Sequence, residues 1–135
     1  MNGLAKGAIV HPADRPRISR QGGASTIQMV TPQIGATAFL NGFTDIPPSA
    51  AIPLHFHNCE ESVLIVAGNA TVEIDGVGHQ ASEGDVTWLP AGVSHRFINP
   101  SDTHLLRIFW TYSSIQATRT HIATGVEVPI MSESD

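Results

Sequence analysis

Proline and glycine break this chain into short pieces. Twelve Gly and nine Pro are spread through 135 residues, and between Met1 and Pro100 few windows of helix length escape both. Proline breaks helix interiors and glycine weakens them. The stretches between them, 24–30, 36–43, 62–67, 70–74, 85–89 and 94–98, are short and rich in Val, Ile, Thr and aromatics. The breaks are turn chemistry: Gly68-Asn69, Asp75-Gly76, Glu83-Gly84-Asp85, Pro90-Ala91-Gly92 and Asn99-Pro100-Ser101-Asp102. Short strands at regular spacing predict an all-β sandwich or barrel. Val72 and Ile74 alternate with Thr71 and Glu73, the period of a half-buried strand.

Segment 101–124 has neither Gly nor Pro. Leu105, Ile108, Phe109 and Tyr112 would form a helical stripe, whereas Leu106, Ile108, Trp110 and Tyr112 would form a strand face. The β-branched and aromatic content favours the strand. Residues 1–24 read as an extended arm, 25–125 as a single barrel domain and 126–135 as a C-terminal tail.

Composition narrows the function classes. Apolar residues make up 41% and charged residues 14%, which excludes a disordered chain. The net charge of −5, without a basic run, argues against nucleic acid and anionic membranes as partners. One cysteine, Cys59, cannot form an internal disulfide. No apolar stretch reaches membrane-spanning length, and no signal peptide is read at the N-terminus, so a cytoplasmic location is expected.

Seven histidines are many for this length. His55 and His57 share a face on a strand, about 7 Å apart, and two such imidazoles can bind one metal. Glu61 reaches the same point if the chain turns after His57. His95 follows the Pro90–Gly92 turn, which can return a strand beside the first pair. Three His and one Glu would leave two open positions on an octahedral ion. A His-x-His pair alone also arises by chance.

The spacing carries more than the pair does. His55-x-His57-x3-Glu61-x6-Gly68 resembles the first motif of the cupin superfamily. Gly84-x5-Pro90-x-Gly92-x2-His95-x3-Asn99 resembles its second. One position departs: the family motif has Gly six residues before the first His, where this chain has Ser49, and Pro47-Pro48 can supply the bend. The resemblance implies a double-stranded β-helix, a jelly-roll barrel with its metal inside. It implies that His55, His57, Glu61 and His95 hold one divalent transition metal per chain, Fe²⁺, Mn²⁺, Ni²⁺, Co²⁺ or Zn²⁺.

Several neighbours have two readings. Val63 and Ile65 continue the face of Glu61, and Phe97 that of His95. Trp88 lies on the strand before the turn. Each is either plain core or a wall of the substrate pocket. Arg107 sits in an apolar strand, either at an edge or aimed inward to clamp an anionic substrate, while Arg96 should face away from the metal. Glu60 reads as solvated and Cys59 as a small loop residue or a nucleophile. His11, His79, His104 and His121 match no motif position and read as surface.

Small cupins include dioxygenases acting on enols, phenolics and diketones. The resemblance therefore implies a metal-dependent oxygenase, with Glu61 also available as a base. The alternatives are a ligand-binding or sensing cupin without turnover, and a non-oxidative isomerase, decarboxylase, lyase or cyclase. The family also implies a homodimer.

Overall fold

The computed structural model describes residues 6–132. The described residues form β-strands and short 3₁₀ turns. The strands are β1 (Arg17–Ser19), β2 (Ser25–Gln28), β3 (Leu40–Ile46), β4 (His55–His57), β5 (Glu61–Ala67) and β6 (Asn69–Ile74), followed by β7 (Val77–Ser82), β8 (Val86–Leu89), β9 (His95–Ile98), β10 (Leu106–Tyr112), β11 (Thr118–His121) and β12 (Glu127–Pro129). They make two antiparallel sheets, in the orders β1-β2-β3-β10-β5-β8 and β12-β11-β4-β9-β6-β7. This is the expected all-β jelly roll. No helix among the described residues is long and apolar enough to cross a membrane.

Two segments read as flanks contribute strands. Arg17–Ser19, within the 1–24 arm, pairs with β2, and Glu127–Pro129, within the 126–135 tail, pairs with β11. Ile130 is buried against the core. Residues 1–5 of the arm and 133–135 of the tail lie outside the described residues.

The core lies between the sheets and follows strand alternation. Along β10 every second residue, Leu106, Ile108, Trp110 and Tyr112, is buried. Along β5 the buried set is Glu61, Val63 and Ile65. Each fully buried aliphatic side chain, such as Ile65 or Leu106, contributes about 1.5–3 kcal/mol. The ambiguous 101–124 segment is extended because β10 is flanked on both sides, by β3 and β5, and a helix could not supply both ladders. Leu105, needed for the helical stripe, is 46% exposed.

The turns behave as their residues dictate. β6 and β7 meet at Asp75-Gly76, with Ile74 facing Val77. Both turn residues have positive φ, 51° and 81°, the pattern of a two-residue hairpin turn that follows strand twist. Asn99 is buried and ties together the strand ends remote from Glu61 and Tyr112. Its Nδ2 donates to the carbonyls of Ile46, Pro47 and His104, and its Oδ1 accepts from Ser101 N–H. The end of β3 is thereby held to the loop between β9 and β10.

Ser49 occupies the position where the family motif has Gly, and its φ is +64°. Ala50 N–H bonds to Pro47 C=O across the turn. Pro48 sets the first turn residue and Ser49 takes the left-handed place that glycine prefers. The backbone therefore keeps the motif's geometry at a steric cost to Ser49. Ser49→Gly is expected to stabilise the protein by about 0.5–1 kcal/mol, the relief of Cβ strain less the added freedom of the unfolded chain. A higher urea midpoint at unchanged m-value would show it.

Candidate metal centre

His55 and His57 project from β4 on one face, with Phe56 between them on the other. β9 runs antiparallel beside β4, so His95 lies directly across the ladder from His55. Gly92 N–H bonds to His57 C=O and fixes the turn that delivers His95. The opposite sheet supplies Glu61 at the start of β5, and β10 places Tyr112 across from it. All five side chains are buried, Glu61 at 5% exposure. Ligand nitrogens of His55, His57 and His95 lie within 4.8 Å of one another. Glu61 Oε1 is 3.1 Å from His95 Nε2 and 3.5 Å from His57 Nε2.

Each imidazole is oriented by a backbone carbonyl. His55 Nδ1 is 2.7 Å from Pro53 O, His57 Nδ1 2.9 Å from Thr118 O, and His95 Nδ1 2.9 Å from Val93 O. A carbonyl can only accept, so Nδ1 carries the proton and each neutral ring presents the Nε2 lone pair. The Nε2 atoms of His57 and His95 and Glu61 Oε1 are buried and make no hydrogen bond. Lone pairs facing one another in a dry interior repel, and a cation among them removes that cost. The cluster is thus able to hold a metal, and nitrogen with carboxylate oxygen suits the divalent ions of the first transition row.

Electrostatics keeps the set ready to bind. Burial pushes His57 down to about 4, and the Glu61 charge only partly opposes this. Burial also holds His55 well below the ordinary histidine value, aided by the Arg119 guanidinium. Burial raises the Glu61 carboxyl, but His57, His95 and a hydrogen bond from Tyr112 more than offset it and hold it below the usual value. At neutral pH His55 and His57 are therefore neutral imidazoles and Glu61 is a carboxylate.

The structure brings Val63, Ile65 and Phe97 into the buried faces that carry Glu61 and His95. It does not bring Trp88 or Arg107 there. Glu61 faces Leu89 across the β5–β8 ladder, so Trp88, one residue earlier, points outward. Trp88 is 66% exposed, donates through Nε1 to Glu60 Oε1 at 2.7 Å, and borders an open groove between β7 and β8. Arg107 alternates with buried Leu106 and Ile108 and also faces out. There it forms two bonds to Asp45, 2.7 and 3.0 Å, and its guanidinium lies 5.0 Å from the centre of the Phe43 ring. An inward clamp by Arg107 is ruled out by strand phase. Arg96 faces out and pairs with Glu73 at 2.9 Å.

Cys59 packs against the core, and burial raises its thiol above the usual value, which does not favour a nucleophile. His11, His79 and His104 are exposed, as expected. His121 is half-buried and stands across the β11–β4 ladder from His55, on the same face. Two further residues escaped the motif reading. Tyr112 has its ring centroid 4.6 Å from that of His57. Its signal was present as the last member of the Leu106–Tyr112 alternation. Arg119 stands across from His57, and only the pairing of β11 with β4 reveals it.

The lowered histidine values carry a stability consequence. The unfolded chain takes up protons on His55 and His57 near pH 6.5, while the folded, metal-free protein resists until about pH 4 at His57. Between those values the unfolded state binds more protons, so stability falls as pH falls. Glu61 adds to the loss only below about pH 4.5, through its lowered value. Urea titrations of the chelator-treated protein should show about 3 kcal/mol lost from His57 alone across that window. His57→Gln should flatten the slope. An unchanged slope in that variant would contradict the assignment of the burden to His57.

Comparison with known proteins agrees with this architecture. The Cupin_2 family model, described as a cupin domain, matches residues 42–112. Protein SchB of Streptomyces halstedii is 32% identical over 102 residues, 75% of this chain and 74% of that protein. Polyketide synthase CurC of Streptomyces cyaneus is 29% identical over 105 residues, 70% of this chain and 68% of that protein. Among solved structures, the polyketide cyclase RemF from Streptomyces resistomycificus superposes with a TM-score of 0.74 at 16% identity, covering 96% of this chain and 89% of RemF. An RmlC-like cupin from Shewanella frigidimarina gives 0.68 at 18% identity, covering 77% and 87%.

Proposed function

The chain belongs to the cupin family, and from that premise we propose that it is a metal-dependent cyclase acting on a polyketide-type chain of alternating carbonyl groups. The observation that carries the metal part is the convergence of three carbonyl-held imidazoles and an orphaned carboxylate oxygen in a buried core. The relatives supply the substrate class: CurC is described as a polyketide synthase and RemF as a polyketide cyclase.

In this reading His55, His57, His95 and Glu61 are the ligands. A divalent ion held there supplies Lewis acidity toward the oxygens of a 1,3-dicarbonyl unit. The protein's own groups do the rest. Val63, Ile65 and Phe97 exclude water from one side of the site. Glu61, ionised and steadied by the Tyr112 hydroxyl, can release the ion and then take a proton from a methylene between two carbonyls. The carbanion carbon then bonds to a second carbonyl carbon of the same chain, whose oxygen takes up the proton. Loss of water gives the aromatic ring. No oxidant is consumed.

The same donor set also suits an iron oxygenase on an enol or phenolic substrate, and the two readings separate by mass. The purified protein is expected to carry about one divalent ion per chain. With a poly-β-carbonyl substrate under argon, the product should have the substrate's mass or that mass less water. His57→Ala and His95→Ala should each lose most of the metal and at least about a hundredfold in rate. Product containing oxygen from ¹⁸O₂, with no turnover under argon, would replace the cyclase with the oxygenase. Stoichiometric metal in both alanine variants would overturn the ligand assignment.

A further inference from the structure

β7 and β8 are the end strands of their sheets, and between them lies a groove of about 320 Å³. Its floor is apolar. Val72 and Ile74 project into it from β6, and on the same inner face they stand across the ladder from Phe97 and His95. β7 adds His79 and Ala81, which share that face. From the other sheet come Thr87, which faces inward beside Val63, and the exposed Val86 and Trp88 at the rim. Ile74 lines the groove and also adjoins His95, so the groove ends one strand away from the histidine cluster.

Length, charge and an unused hydroxyl say what fits there. Val72 and Ile74 give a floor about 7 Å long, the length of two fused rings, whereas four residues of an extended peptide need about 13 Å. The lining contains no Lys or Arg and includes the Asp85 carboxyl, which disfavours an anion. Thr87 Oγ1 is buried and makes no hydrogen bond among the described residues. A buried hydroxyl without an acceptor is destabilising. Rotation about the Thr87 Cα–Cβ bond turns the hydroxyl into the groove, where an oxygen of a bound molecule can accept from it. An apolar floor, an aromatic rim and a single placed donor are the composition of a small-molecule site, and the volume is of the order such sites have.

We propose that this groove binds the neutral, planar ring part of the substrate, with its rings over Val72 and Ile74, Trp88 at their rim and a ring oxygen accepting from Thr87. The part of the chain still to be closed then extends past Ile74 toward His95. The inference deepens the cyclase reading and rests on it only for the identity of the occupant.

The test needs neither metal nor turnover. Chromone, a neutral planar bicycle with one carbonyl, is the probe. Naphthalene is its oxygen-free counterpart and chromone-2-carboxylate its anionic one. Trp88 and Trp110 are the two tryptophans of the chain, so a ¹H–¹⁵N spectrum of chelator-treated protein shows two indole N–H signals, and Trp88→Phe assigns them. Chromone should shift the Trp88 signal and leave that of the buried Trp110 in place, with a dissociation constant below about 1 mM. The carboxylate should bind more weakly. Thr87→Val, which keeps the side-chain shape, should weaken chromone by about three- to tenfold and leave naphthalene unchanged. Ala81→Phe, which fills the groove, should weaken both at least about tenfold. Ala81→Leu stands in if the larger ring prevents folding. No Trp88 shift with chromone, tighter binding of the carboxylate, a Thr87→Val protein that treats chromone and naphthalene alike, or unchanged binding after the groove is filled would overturn the assignment. So would a Trp88 signal that moves with protein concentration alone, which would give the groove to a second copy of the chain. All these results leave the metal and ring-closure experiments unaffected, so the two readings fail separately.

Discussion

Three imidazole lone pairs and a carboxylate oxygen are packed within a few ångströms of one another inside the buried core. The rest of the structure is arranged around that constraint. Such a cluster is costly to bury. It is held because each group is fixed by a different part of the barrel: β4 supplies two rings, β9 the third, and β5 with β10 the carboxylate and the hydroxyl that steadies it. The apolar side chains that continue those strands, Val63, Ile65, Phe97 and Ile108, supply the burial that offsets the cost. The site and the core are successive positions on the same strand faces.

That arrangement explains what could be read from the chain and what could not. The cluster able to hold a metal was legible because its spacing is local: His55 and His57 share a strand face, and one turn delivers His95. The β-architecture was legible from where Gly and Pro fall. The strand phase of β10 was also present, since Leu106, Ile108, Trp110 and Tyr112 form the inward row, and Arg107 must then face out. Arg107's partner, Asp45, lies 62 residues away and is not visible in any local pattern. Trp88 was misplaced for a related reason. The phase of β8 is fixed by Leu89 facing Glu61 on β5, a pairing that the sequence of β8 does not display.

Arg119 was hidden more deeply. Its position depends on β11 joining the sheet beside β4, a contact spanning about half the chain. The family match ends at Tyr112, so β11 lies beyond it. The conformation of Ser49 shows the opposite relation. There the residue departs from the family motif while the backbone keeps the left-handed turn that the motif's glycine would have adopted.

The groups that orient the three imidazoles are all main-chain carbonyls, of Pro53, Val93 and Thr118. A carbonyl is the same whatever side chain its residue bears. Thr118 can therefore be replaced without removing the acceptor that orients His57, provided β11 stays paired, and its neighbour Arg119 can change as well. This decouples two traits in evolution. Side chains around the cluster can drift, be exchanged or be selected anew while the orientation of the three imidazoles is inherited intact through the backbone. A lineage built on this scaffold can vary the surroundings of the cluster without passing through an intermediate that has lost the arrangement of its rings.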